Sequence, residues 1–142
     1  MLLLGLAFAA GAAAQSAQRD LPKVKLQAGM FLVQAQVAST PVQRNIGLMW
    51  RQELANNEGM LFVFEAPAVQ CFWMKNTSLP LTAAFIDEDG TVVNLADMQP
   101  MTTTEHCSKK PVRFVLEMAQ GWFGKHSVGA GYRLQGPVFS KP

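Results

Sequence analysis

The segment Trp73-Met74-Lys75-Asn76-Thr77 concentrates more recognition chemistry than any other stretch of this chain. In an extended strand alternate side chains share a face, so Trp73 and Lys75 stand on one side and Met74 and Asn76 on the other. The chain thereby offers an aromatic plate beside a cation, followed by an amide and the Thr77 hydroxyl. Such a set can stack on a sugar or another ring and hydrogen-bond its polar edge. The same residues admit an architectural reading, with Trp73 in a core and Asn76-Thr77 making a side-chain turn before Pro80. Arg44 and Arg51 join them as ligand-binding candidates, and with Arg113 they are the available partners for strand-edge glutamates.

Two acids, Glu65 and Glu117, are set in strongly apolar surroundings. Burial raises a carboxyl pKa and suits it to general acid work, and a carboxylate pair is the machinery of glycoside hydrolysis. Strand-edge glutamates more often bond to backbone amides or an arginine, so no catalytic residue is assigned. Met98-x-x-Met101 with His106 nearby is the one local cluster of soft ligands that Cu(I) would accept. Methionine more commonly fills irregular core gaps. His106 and His126 lack the spacing of a zinc pair and read as surface residues. Asp87, Glu88 and Asp89 read as a solvated hairpin tip, because the remaining ligands of a calcium loop are missing. No nucleophile elbow, phosphate loop or dinucleotide fingerprint occurs, so neither a metal nor a cofactor is expected.

These groups must be positioned by 142 residues, of which 49% are hydrophobic and 15% charged. That is one domain with a buried core, and a disordered tail protein is excluded. The net charge of +2 comes with no basic run, which excludes the electrostatic footprint of a nucleic-acid binder. Met1 to Ala14 carries no charge and ends in Ala12-Ala13-Ala14, so residues 1–14 read as a signal peptide too short to span a bilayer. The mature chain is therefore expected in the periplasm or secreted, without a transmembrane anchor. In that setting the even pair Cys71 and Cys107 is expected to be oxidised to a disulfide. The Cys-x-x-Cys spacing of a redox enzyme is absent.

After a flexible segment at 15–22, short strands alternate with turns. Lys23 to Leu26 and Phe31 to Val37 form a hairpin candidate about Gly29. Thr40-Pro41-Val42-Gln43 spells a capping box with Pro at the first helical position. It predicts one main helix near residues 41–54 that buries Val42, Ile46, Met49 and Trp50. Met60 to Phe64, Cys71 to Met74 and Val112 to Met118 read as strands. Leu81 to Ile86 pairs with Thr91 to Leu95 across the Asp89-Gly90 turn. Ala96 to Pro111 reads as a loop, Gln120 to His126 as one or two helical turns, and Gly131 to Leu134 as a last strand. The expected fold is mainly β, a compact curved sheet or small barrel of about seven to eight short strands. It occupies residues 23–136, with a tail at 137–142.

The blocks Arg44-x-x-Gly47-Leu48-Met49-x-Arg51, Gly59-Met60-Leu61-Phe62-x-Phe64, Phe72-Trp73-Met74-Lys75-Asn76-Thr77-x-x-Pro80-Leu81 and Phe85-Ile86-Asp87-x-x-Gly90 carry a resemblance. Together with Val115-Leu116-Glu117 and Gly121, they resemble the family catalogued as domain of unknown function 192, from about Val24 to Leu134. The resemblance implies a small, often exported, predominantly β protein and supplies no reaction. Thr82 departs from it, standing where many members have Asp. The residues lead to an exported cell-envelope protein that binds a small molecule, carbohydrate included, or an envelope protein, without catalysis. The alternatives are an envelope enzyme acting on carbohydrate with Glu65 or Glu117 as acid, and a methionine-based copper-handling protein.

Overall fold

The computed structural model describes residues 15–140, so the expected signal peptide lies outside the described residues. The chain runs β1 (Lys23–Ala28), β2 (Phe31–Ala38), α1 (Pro41–Ile46), β3 (Glu58–Ala68), β4 (Cys71–Phe72), β5 (Leu81–Ile86), β6 (Val92–Met98), β7 (His106–Cys107), β8 (Val112–Ala119) and α2 (Trp122–Lys125). Six strands form one curved sheet in the order β1-β2-β3-β8-β5-β6, and β4 and β7 pair as a separate ribbon. Only β2 and β3 run parallel, because the crossover containing α1 joins them. The mainly β architecture follows the expectation, as does the disulfide between Cys71 and Cys107.

Both faces of the sheet are covered, which is why all six residues of β5 are buried. On one face Leu26, Val33, Leu61, Phe114, Leu116 and Met118 pack beneath Trp122, Phe123 and Phe139. On the other Met60, Phe62, Ala83, Phe85 and Val115 pack beneath Leu48 and Met74. The second cover is built from irregular chain, and the candidate site lies within it.

Four expected elements differ, one being the loop at Ala96 to Pro111, which holds the end of β6 and all of β7. The capping box forms, with Gln43 N donating to Thr40 Oγ1 and Thr40 N donating to Gln43 Oε1, both at 3.2 Å. The helix nevertheless ends at Ile46 instead of Leu54. Gly47 takes φ 51° and lies against the Phe62 ring, and Trp50 follows at φ 62°. Positive φ at two nearby positions cannot continue a right-handed helix. A helix this short presents no full apolar stripe, so Val42 is exposed, Ile46, Met49 and Trp50 are half-buried, and Leu48 enters the core. Strand β4 stops at Phe72, short of the expected Met74, and the chain then turns at Asn76, whose φ is 53°. The segment expected as a last strand, Gly131 to Leu134, instead belongs to a connection that touches both sheet edges through bridges of Arg133 to Thr91 and Gln135 to Gln27. It laces β6 to β1 and so shields two edges that would otherwise expose unpaired backbone.

The flanking segments also make contacts. Leu21 packs on the second core cluster, Gln18 Nε2 donates to the carbonyls of Gln43 and Gly47, and Phe139 meets Phe114 edge-on at 5.2 Å.

Gly59 of β3 packs tightly against β8. A Cβ there would lie 2.6 Å from the Glu117 carbonyl oxygen and against Met118 Sδ. Gly59→Ala is therefore expected to cost about 1–3 kcal/mol by overpacking. Gly124→Ala, where a Cβ meets nothing within 4 Å, should change stability by less than about 1 kcal/mol. Urea midpoints of the two variants test the contrast.

Candidate functional site

Alternation along β8 sends Phe114, Leu116 and Met118 to one core layer and Val115 and Glu117 to the other. Glu117 therefore points away from Met118, registered between Met60 of β3 and Ala83 of β5. It is 4% exposed. Among the described residues the one ion pair is Arg51–Glu58, and neither a hydrogen bond nor a neighbouring charge offsets the burial of Glu117. Desolvation pushes its carboxyl up from 4.5 to about 8, so the acid is protonated at neutral pH.

Glu117 lines a cavity of about 480 Å³. One wall is α1 and the turn after it, with Arg44, Asn45, Gly47 and Leu48; the facing wall is Cys71, Phe72 and Trp73. Phe62, Phe64, Thr77 and Glu105 complete it. Each wall is held by identifiable bonds. Arg44 Nη1 donates to the carbonyls of Ser39 at 2.7 Å and Val63 at 2.9 Å, and its guanidinium lies 4.9 Å from the Phe64 ring centroid. The facing wall is stapled by the disulfide, whose cysteines are direct register partners in the β4–β7 ribbon. Asn94 of β6 joins that ribbon to the main sheet, donating to the Cys107 carbonyl and accepting from Lys109 N. Phe72 inserts between Phe62 and Phe85 with edge-on contacts at 4.8 and 6.1 Å.

The structure brings together three of the sequence-derived candidates, Arg44, Trp73 and Thr77. Trp73 remains 46% exposed, and Lys75 Nζ sits 5.5 Å from its ring centroid without lining the cavity. Thr77 is buried, and its hydroxyl donates to the Lys75 carbonyl at 3.0 Å. Asn76 serves the turn, its carbonyl accepting from Trp50 N at 2.9 Å. Arg51 lies elsewhere, 4% exposed, with Nη2 on Glu58 Oε1 at 3.0 Å and Nη1 on Gln36 Oε1 at 3.1 Å. Of the two candidate acids, Glu65 is exposed on β3 and Glu117 is the buried one. Arg113 Nε donates to the Phe64 carbonyl. Asn45 and Glu105 escaped the sequence reading, because neither a helix-surface amide nor an acid in a Thr-rich loop signals a cavity.

Met98 is fully buried in the core whereas Met101 is 62% exposed, so the two thioethers occupy different environments. Among the described residues the one close group of metal-ligand atoms is Cys71, Glu105 and Cys107. Its two sulfurs are bonded to each other, which removes them as thiolate ligands.

The family model DUF192, described as Uncharacterized ACR, matches residues 24–136. No curated protein matches the chain. A solved structure from Sinorhizobium meliloti 1021, described as that of a candidate transcription regulator, is 32% identical with a TM-score of 0.82. The match covers 86% of this chain and 99% of that one. A protein of unknown function from Novosphingobium aromaticivorans DSM 12444 is 29% identical with a TM-score of 0.75, covering 92% of this chain and 99% of its own.

Burial of Glu117 makes stability depend on pH. Between about 4.5 and about 8 the folded chain holds a proton that the unfolded chain has released. Stability is then complete below this window and falls through it by roughly 1.4 kcal/mol per pH unit. Urea midpoints of the wild type should decline from pH 5 to 8, and Glu117→Gln should remove most of the slope. A wild-type midpoint that is flat over this range would contradict the placement of Glu117.

Proposed function

We propose that this chain, which belongs to the DUF192 family, is an exported, non-catalytic module that binds a small molecule in the cavity beside Glu117. One observation carries the reading: a carboxyl buried to 4% exposure, with no partner, faces a cavity of about 480 Å³. An unpaired buried acid lowers stability, and an apolar side chain of similar size would fill the position better for folding alone. A perturbed acid in a concave, aromatic-lined pocket is the usual arrangement of a ligand site. Trp73 at the wall adds a half-exposed plate on which a ring can stack.

Export is supported by the uncharged apolar run from Met1 to Ala14 and by the Cys71–Cys107 disulfide, a bond that persists in oxidising compartments. No helix among the described residues is long and apolar enough to cross a membrane. The regulator description of the Sinorhizobium protein does not extend to nucleic acid here, since a net charge of +2 without a basic run provides no phosphate footprint.

A second reading has a specific observation behind it. Glu117 holds its proton at neutral pH and shares the cavity with a second carboxyl, Glu105, which is the inventory of an enzyme cleaving carbohydrate. Release of reducing sugar from polysaccharides, abolished in Glu117→Gln, would establish it in place of the binding module.

The binding reading is tested on Trp73→Ala. Because the ring is half-exposed, the change should cost well under the roughly 3–5 kcal/mol of a core Trp→Ala while weakening ligand binding at least tenfold. A thermal-shift screen of saccharides and small metabolites, followed by calorimetry on hits, supplies the ligand. Undiminished binding by a stable Trp73 variant would remove this wall from the site. N-terminal sequencing of protein from the envelope fraction should begin at Gln15, and an intact Met1 on a cytoplasmic product would sink export.

A further inference from the structure

The cavity holds three ionisable side chains, and their pairing is unequal. Arg44 comes from α1 and is already engaged, its Nη1 bonded to two backbone carbonyls and its guanidinium seated over Phe64. Glu105 lies before β7, exposed, in no ion pair among the described residues. Glu117 lies on the floor with no partner. The strands packed beside it place Met60 and Ala83 in register with it, and Leu48 and Met74 cover the same layer, none of them ionisable. Two acids thus face one cavity with one cation, Arg44, whose Nη1 is held by two backbone carbonyls away from any carboxylate.

We infer that the molecule bound in this cavity is an organic cation, an amine or quaternary ammonium whose charge meets the Glu117 carboxyl while its carbon groups lie against Leu48, Phe62 and Phe72. The inference rests on reading the cavity as a ligand site and adds the chemical class. When Glu117 ionises, a bound cation supplies the counter-charge that none of the residues packed against it offers, and the electron-rich faces of aromatic walls attract an ammonium group that carries little hydration. The exposed Glu105 adds attraction at the same cavity. A neutral ring would compensate neither Glu105 nor the ionised form of Glu117.

Binding of a cation is coupled to loss of a proton from Glu117. With the carboxyl at about 8, about a tenth of the molecules carry it ionised at pH 7 and about nine-tenths at pH 9. Affinity for a ligand of fixed charge should therefore rise about tenfold between those values. A hydrogen bond donated by the neutral acid to a sugar would give the opposite trend.

Choline serves as the probe, because its charge does not titrate, and 3,3-dimethylbutanol is its neutral isostere. Calorimetry on the mature chain should show choline binding at least tenfold tighter than the alcohol and about tenfold tighter at pH 9 than at pH 7. Glu117→Gln, which keeps the volume and removes the charge, should lose choline binding and its pH trend, whereas Lys25→Ala on the far strand β1 should retain both. Equal affinity for the two isosteres, affinity falling with rising pH, or no choline binding would each overturn the cation. If a neutral saccharide then bound in a Glu117-dependent manner, the cavity reading would stand without it. An empty metabolite screen as well would overturn both.

Discussion

Strand β8 is paired on both sides, by β3 and β5, and covered on both faces, and this constraint governs the rest of the molecule. A strand so enclosed must send apolar groups in both directions. Phe114, Val115, Leu116 and Met118 comply, each buried to 1% exposure or less. Two covers are then required. One is formed by α2 and the C-terminal segment through Trp122, Phe123, Val128 and Phe139. The other is assembled from a short helix, turns and a two-residue ribbon, elements with little backbone hydrogen bonding of their own. They are held by the Thr40 capping box, the disulfide and the Asn94 bridge to β7. A cover built from such pieces does not close completely over the sheet, and the cavity above Glu117 is the gap.

The architecture was legible wherever one local signal decided it. Asp89-Gly90 marked the β5–β6 turn, where Gly90 takes φ 92°. A Cβ on Gly90 would also press on the Leu134 carbonyl, so this glycine fixes the turn and lets the C-terminal segment approach β6. The start of α1 was legible for the same reason, since Thr40 and Gln43 interact within one turn. Its end was not, because the determinant is tertiary. Gly47 lies under the Phe62 ring of a strand that follows later in the chain, and no helical periodicity carries that information. The last expected strand failed similarly: residues 131–135 bond to Gly90 and Val92 at one edge and to Gln27 at the other, each pairing too brief to make a strand.

The two candidate arginines show the limit for site residues. Arg44 and Arg51 stand in one sequence block, yet Arg51 is buried with Glu58 and Gln36 while Arg44 reaches the cavity. Their difference is set by Gly47 and Trp50, the positive-φ residues that turn the chain between them. Glu117 was detectable as an acid among apolar residues. What could not be read was that neither Arg44, Arg51 nor Arg113 turns toward it, each being bound to other acceptors.

That pattern of pairing separates architecture from chemistry. Other buried polar side chains have partners: Thr82 donates to Asp97 at 2.6 Å, Asn94 bridges to β7, and Gln36 accepts from Arg51 while donating to the Arg19 carbonyl, whereas Arg51 Nε is left without one. Among the described residues Glu117 has no such partner, although it sits in the middle of the sheet between β3 and β5, where a leucine or methionine would meet every demand of the core. Paired polar groups are accounted for by folding. Glu117, the buried acid that folding does not account for, also faces open volume, which is where the proposed ligand would meet it.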